Sequence, residues 1–149
     1  MATTASSVHQ ETEWYSVYPP PRFDTPRISA EELAEIIKSK VEAVDYIVVD
    51  VRRTDFEDTF IRGALNLPAH SFYPTVSTIT KLLSRIPLVI FHCNSCKETG
   101  RGPRTAGWYR AELERQGVAE AQSKALVLTG GIKEFSAKYE SESALVSRL

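Results

Sequence analysis

The sequence predicts an α/β domain with a doubly wound, mostly parallel sheet and helices on both faces. Three short segments, residues 46–51, 88–92 and 125–129, are apolar almost throughout, as expected for strands that are buried on both sides. Amphipathic segments lie between them at residues 77–85 and 103–116. Strands that alternate with helices favour right-handed crossovers and therefore a parallel sheet.

The ends of the fold are predicted from caps and shorter patterns. Ser29 is followed three residues later by Glu32, which forms a capping box in front of an apolar stripe and predicts a helix to about Lys40. A short strand is expected at residues 64–67, and a last helix is expected to start near Ile132. These elements would complete a single layered domain.

Length and local composition indicate how the chain is organised. A chain of 149 residues is long enough for one ordinary domain and too short for two. Residues 1–25 are polar and then rich in aromatic residues and proline, which predicts a tail followed by an extended arm. Residues 26–149 are expected to form the domain itself.

Composition excludes several classes of protein. The chain is 42% hydrophobic and 25% charged, which is typical of globular domains. Its 18 basic and 19 acidic residues leave almost no net charge, so neither nucleic acid nor an anionic membrane is an expected partner. No apolar stretch approaches the roughly 20 residues of a membrane span, and the first residues do not resemble a signal peptide. A cytoplasmic or nuclear location is therefore expected.

The chain contains only two cysteines, Cys93 and Cys96. Two cysteines this close enclose too small a loop to staple a fold, so their role is either chemical or incidental. His9 and His70 have no cysteine near them and show no metal-ligand spacing. The sequence therefore predicts neither a metal site nor a cofactor.

The loop after the second apolar strand carries the candidate chemistry. It leaves a buried strand and enters a helix, so its backbone N–H groups can turn inward at the positive end of the helix dipole and hold an oxyanion. Arg101 can add a bidentate fork, and the same field lowers the pKa of Cys93 below the free value of about 8.5. The predicted oxyanion-binding residues are Asn94, Ser95, Cys96, Lys97, Glu98, Thr99 and Gly100.

Each of these assignments has a structural alternative. Cys93 at a strand end is explained by packing alone, but packing does not explain the polar, basic, glycine-containing loop that follows it. Arg101 opposes the helix dipole unless an anion binds there, which favours a functional role. Arg104 is open between support of the oxyanion and a solvated position at the start of the helix.

Four further residues are expected to support the loop. Asp50 ends a buried strand, and we expect it to anchor neighbouring loop amides rather than to take part in catalysis. His92 is interpreted as a hydrogen-bonded core residue in preference to a modulator of the thiolate. Gly130 and Gly131 are expected to form a tight turn that faces the active loop.

The segment after the first apolar strand adds charged residues close to the same edge of the sheet. Arg52 and Arg53 either add positive field near the cradle or pair at the surface with Asp55 or Glu57. If the oxyanion held by the cradle belongs to an ester, cleavage of that ester also needs a proton donor for the leaving group. Glu98, Asp55 and Glu57 are candidates for it by proximity alone.

The pair His92-Cys93, followed by a loop and by Arg-Gly-Pro-Arg at residues 101–104, resembles the active-site signature of the rhodanese-like superfamily. The similarity is to the branch of M-phase inducer (dual-specificity) phosphatases and small fungal arsenate reductase-like phosphatases. Residues 49–52, 61–68 and 128–135 are similar to its three conserved blocks, so the resemblance covers about residues 28–137. It implies that Cys93 is a nucleophile that forms a thiophosphate, thioarsenate or persulfide, and that Arg101 binds the oxyanion.

The loop departs from that family in its length. Five residues separate cysteine from arginine in the phosphatase branch and four in sulfurtransferases, whereas seven separate Cys93 from Arg101. The two extra residues, assigned to Lys97 and Glu98, are expected to bulge outward or to widen the cradle. Either change affects the positioning on which such catalysis depends.

The loop also allows a second register. Four residues separate Cys96 from Arg101, but three residues of extended chain would take Cys96 up to about 10 Å from the strand end. We therefore prefer Cys96 as a thiol that resolves a covalent intermediate on Cys93 or protects it as a disulfide. An incidental loop cysteine is the alternative.

The resemblance implies a cysteine-dependent phosphatase that acts on a phosphoprotein or on a small phosphate ester. Reduction of arsenate is a close relative of that reaction, in which the next electron pair would involve either Cys96 or an external thiol, with glutathione or glutaredoxin as the implied partner. Two alternatives are a sulfurtransferase that works through a cysteine persulfide and a catalytically dead module that binds an oxyanion or a protein. The long loop suits a tetrahedral oxyanion better than a single sulfur atom.

Overall fold

The computed structural model describes residues 13–149, so the start of the predicted tail, including His9, lies outside the described residues. Its centre is a parallel sheet of five strands in the order β1-β6-β5-β2-β4. These strands are β1 (Arg27–Ile28), β2 (Tyr46–Asp50), β4 (Leu65–Asn66), β5 (Leu88–His92) and β6 (Lys124–Leu128). The predicted parallel sheet is confirmed.

Within residues 13–149, five α-helices surround the sheet: α1 (Ala30–Ser39), α2 (Ala69–Phe72), α3 (Val76–Leu83), α4 (Arg101–Arg115) and α5 (Gly131–Tyr139). The predicted capping box starts α1. The N–H of Glu32 donates to Ser29 Oγ at 3.0 Å, and the N–H of Ser29 donates to Glu32 Oε1 at 2.9 Å. None of the helices within residues 13–149 is long and apolar enough to cross a membrane.

Two apolar cores lie on opposite faces of the sheet, because neighbouring residues of a strand point to opposite sides. On one side, residues such as Val49 and Phe91 pack with α2, α3 and α4. On the other side, residues such as Val48 and Ile90 pack with α1 and α5. Helices therefore cover both faces, as predicted, and burial on both faces explains why the central strands are apolar throughout.

Three short strands were not predicted. β1 pairs with β6 at the edge of the sheet, while β3 (Thr59–Ile61) and β7 (Val146–Arg148) form a separate antiparallel pair. Each has only two or three residues, which is too few for a period to be visible in the sequence. They form because a partner strand lies alongside them, and this is a tertiary effect.

The arm before the domain crosses the surface of α4. It begins with a 3₁₀ turn at Trp14–Val17, and the indole N–H of Trp108 donates to the Pro19 carbonyl at 2.8 Å. A side chain at Gly107 would place its Cβ 2.3 Å from the Arg22 carbonyl oxygen, so the close passage of the arm requires glycine there.

Candidate active site

The predicted site lies at the carboxyl end of the parallel sheet. Cys93 directly follows β5, whose last residue His92 is in register with Asp50 at the end of β2. The loops that follow these two strands therefore meet at one edge. Between them is an open pocket of about 280 Å³ that is lined by Asp55, Cys93, Asn94, Ser95, Lys97, Gly100 and Arg101.

Cys93 lies beneath this pocket, with 4% of its surface exposed. Its Sγ accepts the N–H of Gly102 in the first turn of α4 at 3.4 Å and lies 3.5 Å from Cys96 Sγ. A hydrogen bond from the Cys96 thiol lowers the pKa of Cys93 most strongly, and burial opposes this effect. The N–H of Gly102 and the charge of Arg101 lower it further. Of the two cysteines, Cys93 is therefore the one at which the thiolate is favoured.

This lowered pKa predicts how Cys93 reacts with iodoacetamide as the pH changes. A free thiol with a pKa of about 8.5 loses nearly tenfold in alkylation rate for each pH unit below that value. We expect the rate at Cys93 to change less than about twofold between pH 8 and pH 7, measured on the Cys93 peptide by mass spectrometry. N-acetylcysteine serves as the free-thiol control, and a parallel fall in the two rates would contradict the assignment.

Cys96 was expected to lie away from the strand end, and that expectation is wrong. Its backbone adopts a left-handed conformation with φ of 53°, which turns the chain back towards β5. The N–H of Cys93 donates to Cys96 Sγ at 3.2 Å, and Arg27 Nη1 donates to the Cys96 carbonyl at 3.1 Å. The expected distance assumed an extended chain, whereas the loop folds back on itself.

The extra length of the loop forms a turn on its outer side. The N–H of Gly100 donates to the Lys97 carbonyl at 2.9 Å, and Lys97, Glu98 and Thr99 are exposed. The insertion therefore bulges outward. Of the predicted oxyanion-binding residues, Asn94, Ser95, Lys97 and Gly100 line the pocket, whereas Cys96 is buried behind it and Glu98 and Thr99 do not line it.

The N-terminus of α5 holds the first peptides of the loop. The N–H groups of Ile132 and Lys133 donate to the carbonyls of Cys93 and Asn94 at 3.1 and 3.0 Å. Because a trans peptide points its N–H opposite to its C=O, the N–H groups of residues 94 and 95 point away from α5. Within residues 13–149, no group accepts a hydrogen bond from the N–H groups of residues 94–99. Of these, the N–H groups of Asn94 and Ser95 belong to residues that line the pocket, where an anion can accept them.

The turn at Gly130 and Gly131 faces this loop, as predicted. Gly131 has φ of 57°, and a Cβ there would lie 2.4 Å from the Asn94 carbonyl oxygen and 2.6 Å from that of Cys93. Both oxygens belong to backbone that α5 already holds, so neither can move away without breaking a hydrogen bond. Only glycine allows this approach.

We therefore expect Gly131→Ala to destabilise the protein far more than Gly117→Ala. Gly117 also has a positive φ of 74°, but a Cβ there would have no neighbour within 4 Å. The control should cost about 1 kcal/mol for its backbone conformation alone, and Gly131→Ala should cost at least about 2 kcal/mol more. Urea unfolding measures both free energies, and equal losses would show that the contact is unimportant.

Arg101 lines the pocket, but Asp55 holds its guanidinium. Nη1 and Nη2 donate to Asp55 Oδ1 and Oδ2 at 2.8 and 2.6 Å, in the bidentate geometry that an oxyanion would use. The guanidinium lowers the pKa of Asp55 to about 2, so this carboxyl is ionised at neutral pH. Asp55 is therefore not a proton donor in this arrangement.

Asp50 supports Asp55 indirectly. Asp50 is fully buried, and its carboxylate accepts the backbone N–H of Arg52 at 3.1 Å. It also accepts hydrogen bonds from Nε and Nη2 of the Arg52 side chain. Arg52 Nη1 also donates to the Asp55 carbonyl at 3.2 Å, and the N–H of Arg53 donates to Asp55 Oδ1 at 3.1 Å. Arg52 was expected to add field to the cradle or to pair at the surface. It is buried instead, because a buried carboxylate requires a compensating charge.

His92 and Arg104 do not reach the pocket. His92 is fully buried, with Nδ1 2.9 Å from the Cys93 carbonyl, which fits the expected core role. The guanidinium of Arg104 lies 3.5 Å from the centre of the Tyr15 ring, and Nη2 donates to the Thr99 carbonyl at 3.4 Å. The arm therefore holds Arg104 outside the pocket, and this residue does not directly support an oxyanion there.

The sequence did not reveal the pairing of Arg101 with Asp55. The contact of Cys96 with Cys93 fits the dithiol role preferred for Cys96, but the sequence did not reveal the backbone turn that produces it. The left-handed turn at Cys96 has no signal in the sequence, since glycine is usual at such a position. Within residues 13–149, no group of three or more His, Cys, Asp or Glu side chains is placed to hold a metal ion.

Two solved structures show the same architecture. The arsenic-antimony reductase from Leishmania major is 27% identical, with a TM-score of 0.70 over 80% of this chain and 82% of that one. A yeast protein tyrosine phosphatase of the rhodanese family is 17% identical, with a TM-score of 0.68 over 83% of this chain and 92% of that one. At that identity the second likeness concerns the fold alone.

A comparison with curated proteins gave no match. The family model of the rhodanese-like domain matches residues 29–138, which is most of the described domain and includes the loop between β5 and α4. The chain therefore belongs to the rhodanese-like domain family.

Proposed function

We propose that the protein is a cysteine-dependent phosphatase that forms a thiophosphate on Cys93 and that accepts arsenate at the same site. The observation that carries this proposal is the position of the Cys93 sulfur, which lies below an open pocket with unengaged loop N–H groups, accepts the N–H of Gly102 and is close to Arg101. The similar structure from Leishmania major is an arsenic-antimony reductase, which supports oxyanion chemistry in this fold.

The reaction follows from the groups that face the pocket. The thiolate attacks phosphorus and displaces the ester oxygen, and water then cleaves the S–P bond to release phosphate and the thiolate. The loop N–H groups and Arg101 hold the phosphoryl oxygens, on which negative charge develops. An adjoining groove of about 400 Å³ shares Asp55 and Asn94 with the pocket, so the alcohol part of the ester, including a protein chain, has room to extend.

Asp55 competes with the substrate for Arg101. An oxyanion gains the bidentate fork only when Asp55 releases it, so we expect Asp55→Asn to tighten binding of tungstate by about 3- to 30-fold. Calorimetry measures this affinity directly. Asp24→Asn is a matched control, because Asp24 pairs at 2.8 Å with Arg110 on the same helix but does not line the pocket. Equal affinities in Asp55→Asn and the wild type would show that the pair does not restrain Arg101.

This pairing also favours a second candidate, a module that binds oxyanions without turnover, since Arg101 is engaged by Asp55 in the described conformation. Hydrolysis of an aryl phosphate by the wild type, with tungstate as a competitor, separates the two. The phosphatase proposal requires turnover that tungstate inhibits competitively. Binding of tungstate without turnover would favour the module, and the absence of both would overturn both candidates.

A further inference from the structure

The two cysteines of the loop lie close enough to react with each other. Their sulfurs are 3.5 Å apart, against about 2.05 Å in a disulfide, so an approach of roughly 1.5 Å would close the bond. The left-handed backbone at Cys96 directs its side chain back to Cys93, and the N–H of Cys93 holds Cys96 Sγ in place. The loop is therefore folded around a dithiol.

Cys96 is placed behind the pocket rather than in it. It is 4% exposed and does not line the cavity, and a Cβ at Gly102 would lie 2.8 Å from its Sγ. A substrate in the pocket therefore meets Cys93 first. Cys96 contacts the same sulfur from outside the pocket, so a second nucleophile is within reach of Cys93 without occupying the place of the substrate.

The charge on Cys93 decides when Cys96 becomes reactive. In the free protein, the hydrogen bond to Cys93, burial and the negative charge of Cys93 raise the pKa of Cys96, which stays a thiol. Once Cys93 is bonded to a substrate atom it no longer carries that charge. The proton of Cys96 is then held less tightly, and the N–H of Cys93 stabilises the developing thiolate.

We propose that Cys96 is the resolving thiol of an internal arsenate reduction, an inference that rests on the proposed oxyanion chemistry of Cys93. Cys93 first attacks arsenic in arsenate, water leaves, and a thioarsenate forms. Cys96 then attacks Cys93 Sγ, a disulfide forms, and the S–As bond breaks with its electron pair on arsenic. Arsenic(V) becomes arsenite while two thiols become one disulfide, which an external thiol must reduce for the next cycle.

Phosphate follows a different course at the same sulfur. Phosphorus(V) does not accept the electron pair of the S–P bond under these conditions, so the thiophosphate persists until water hydrolyses it. The same pair of cysteines therefore supports hydrolysis with phosphate esters and reduction with arsenate.

The test is a single turnover without external thiol. Reduced protein, freed of reductant, is mixed with arsenate, and arsenite and remaining thiols are counted. The wild type should release about one arsenite and lose two thiols per chain, with a Cys93–Cys96 disulfide found by peptide mass spectrometry. Cys96→Ser should release at least about tenfold less arsenite. Arsenite release by the wild type only after glutathione is added would overturn the proposal.

Two further measurements keep the result interpretable. Hydrogen peroxide should oxidise Cys93 to a sulfenic acid that Cys96 captures as a disulfide, whereas Cys93 in Cys96→Ser should proceed to sulfinic acid. Absence of the disulfide in the oxidised wild type would show that the two sulfurs do not meet, which overturns the proposal. If the wild type hydrolyses an aryl phosphate but loses no thiols when it is mixed with arsenate, this inference alone is overturned. If both reactions fail, the proposed function is overturned as well.

Discussion

Replacing Cys93 by serine is expected to lower the hydrolysis of an aryl phosphate at least about 10⁴-fold, because the nucleophile acts with the groups that hold the phosphate. A serine hydroxyl has a far higher pKa than the thiol, and neither Gly102 nor Arg101 can make it an alkoxide at neutral pH. Turnover rates of the purified proteins measure the effect, with thermal unfolding as the check that the variant is folded.

Cys96→Ser is the matched comparison for this variant. Its hydroxyl retains a donor next to Cys93 Sγ, so we expect reduced but measurable hydrolysis. A dead Cys96→Ser protein together with an active Cys93→Ser protein would show that the nucleophile is Cys96. That outcome would replace the proposed register of the loop with the shorter one.

The second large effect is expected at Arg101. Lysine at this position keeps the charge but cannot present two parallel N–H groups to two oxygens. We expect Arg101→Lys to lower kcat by about 10²- to 10³-fold, the usual cost of removing one donor to a developing oxyanion. Steady-state kinetics with an aryl phosphate give the value.

Arg104→Lys is the control for Arg101→Lys because both residues lie in the first turn of α4. Arg104 is buried against the Tyr15 ring, outside the pocket, and lysine keeps a cation there. We expect less than about a threefold change in kcat for this variant. Similar losses in the two variants would place the effect in the helix and the arm rather than in oxyanion binding.

Much of the fold was predictable because burial leaves a direct trace in the sequence. β2 and β5 are covered on both faces, so their residues are apolar without alternation, and the capping box of Ser29 and Glu32 starts a helix wherever it lies. β1, β3 and β7 leave no such trace, since each depends on a partner strand.

The positions of site residues were predictable where they follow from the order of strand, loop and helix along the chain. They were not predictable where they depend on contacts between distant parts of the chain. The place of Cys93 and the turn at Gly131 follow from that order. The pairing of Arg101 with Asp55 joins residues 46 positions apart, and the sequence offers several other partners for either charge. Cys96 returns to Cys93 through one left-handed residue, which propensity does not predict.

In the proposed reaction, Cys93 becomes covalently bonded to the phosphorus or arsenic of the oxyanion. The most direct measurement is to mix the protein with an aryl phosphate, stop the reaction with acid within one turnover, and locate the phosphoryl group by peptide mass spectrometry. We expect a phosphoryl group on Cys93 that appears before free phosphate and is absent in Cys93→Ser. Turnover with no adduct, or an adduct on any residue other than Cys93, would contradict it.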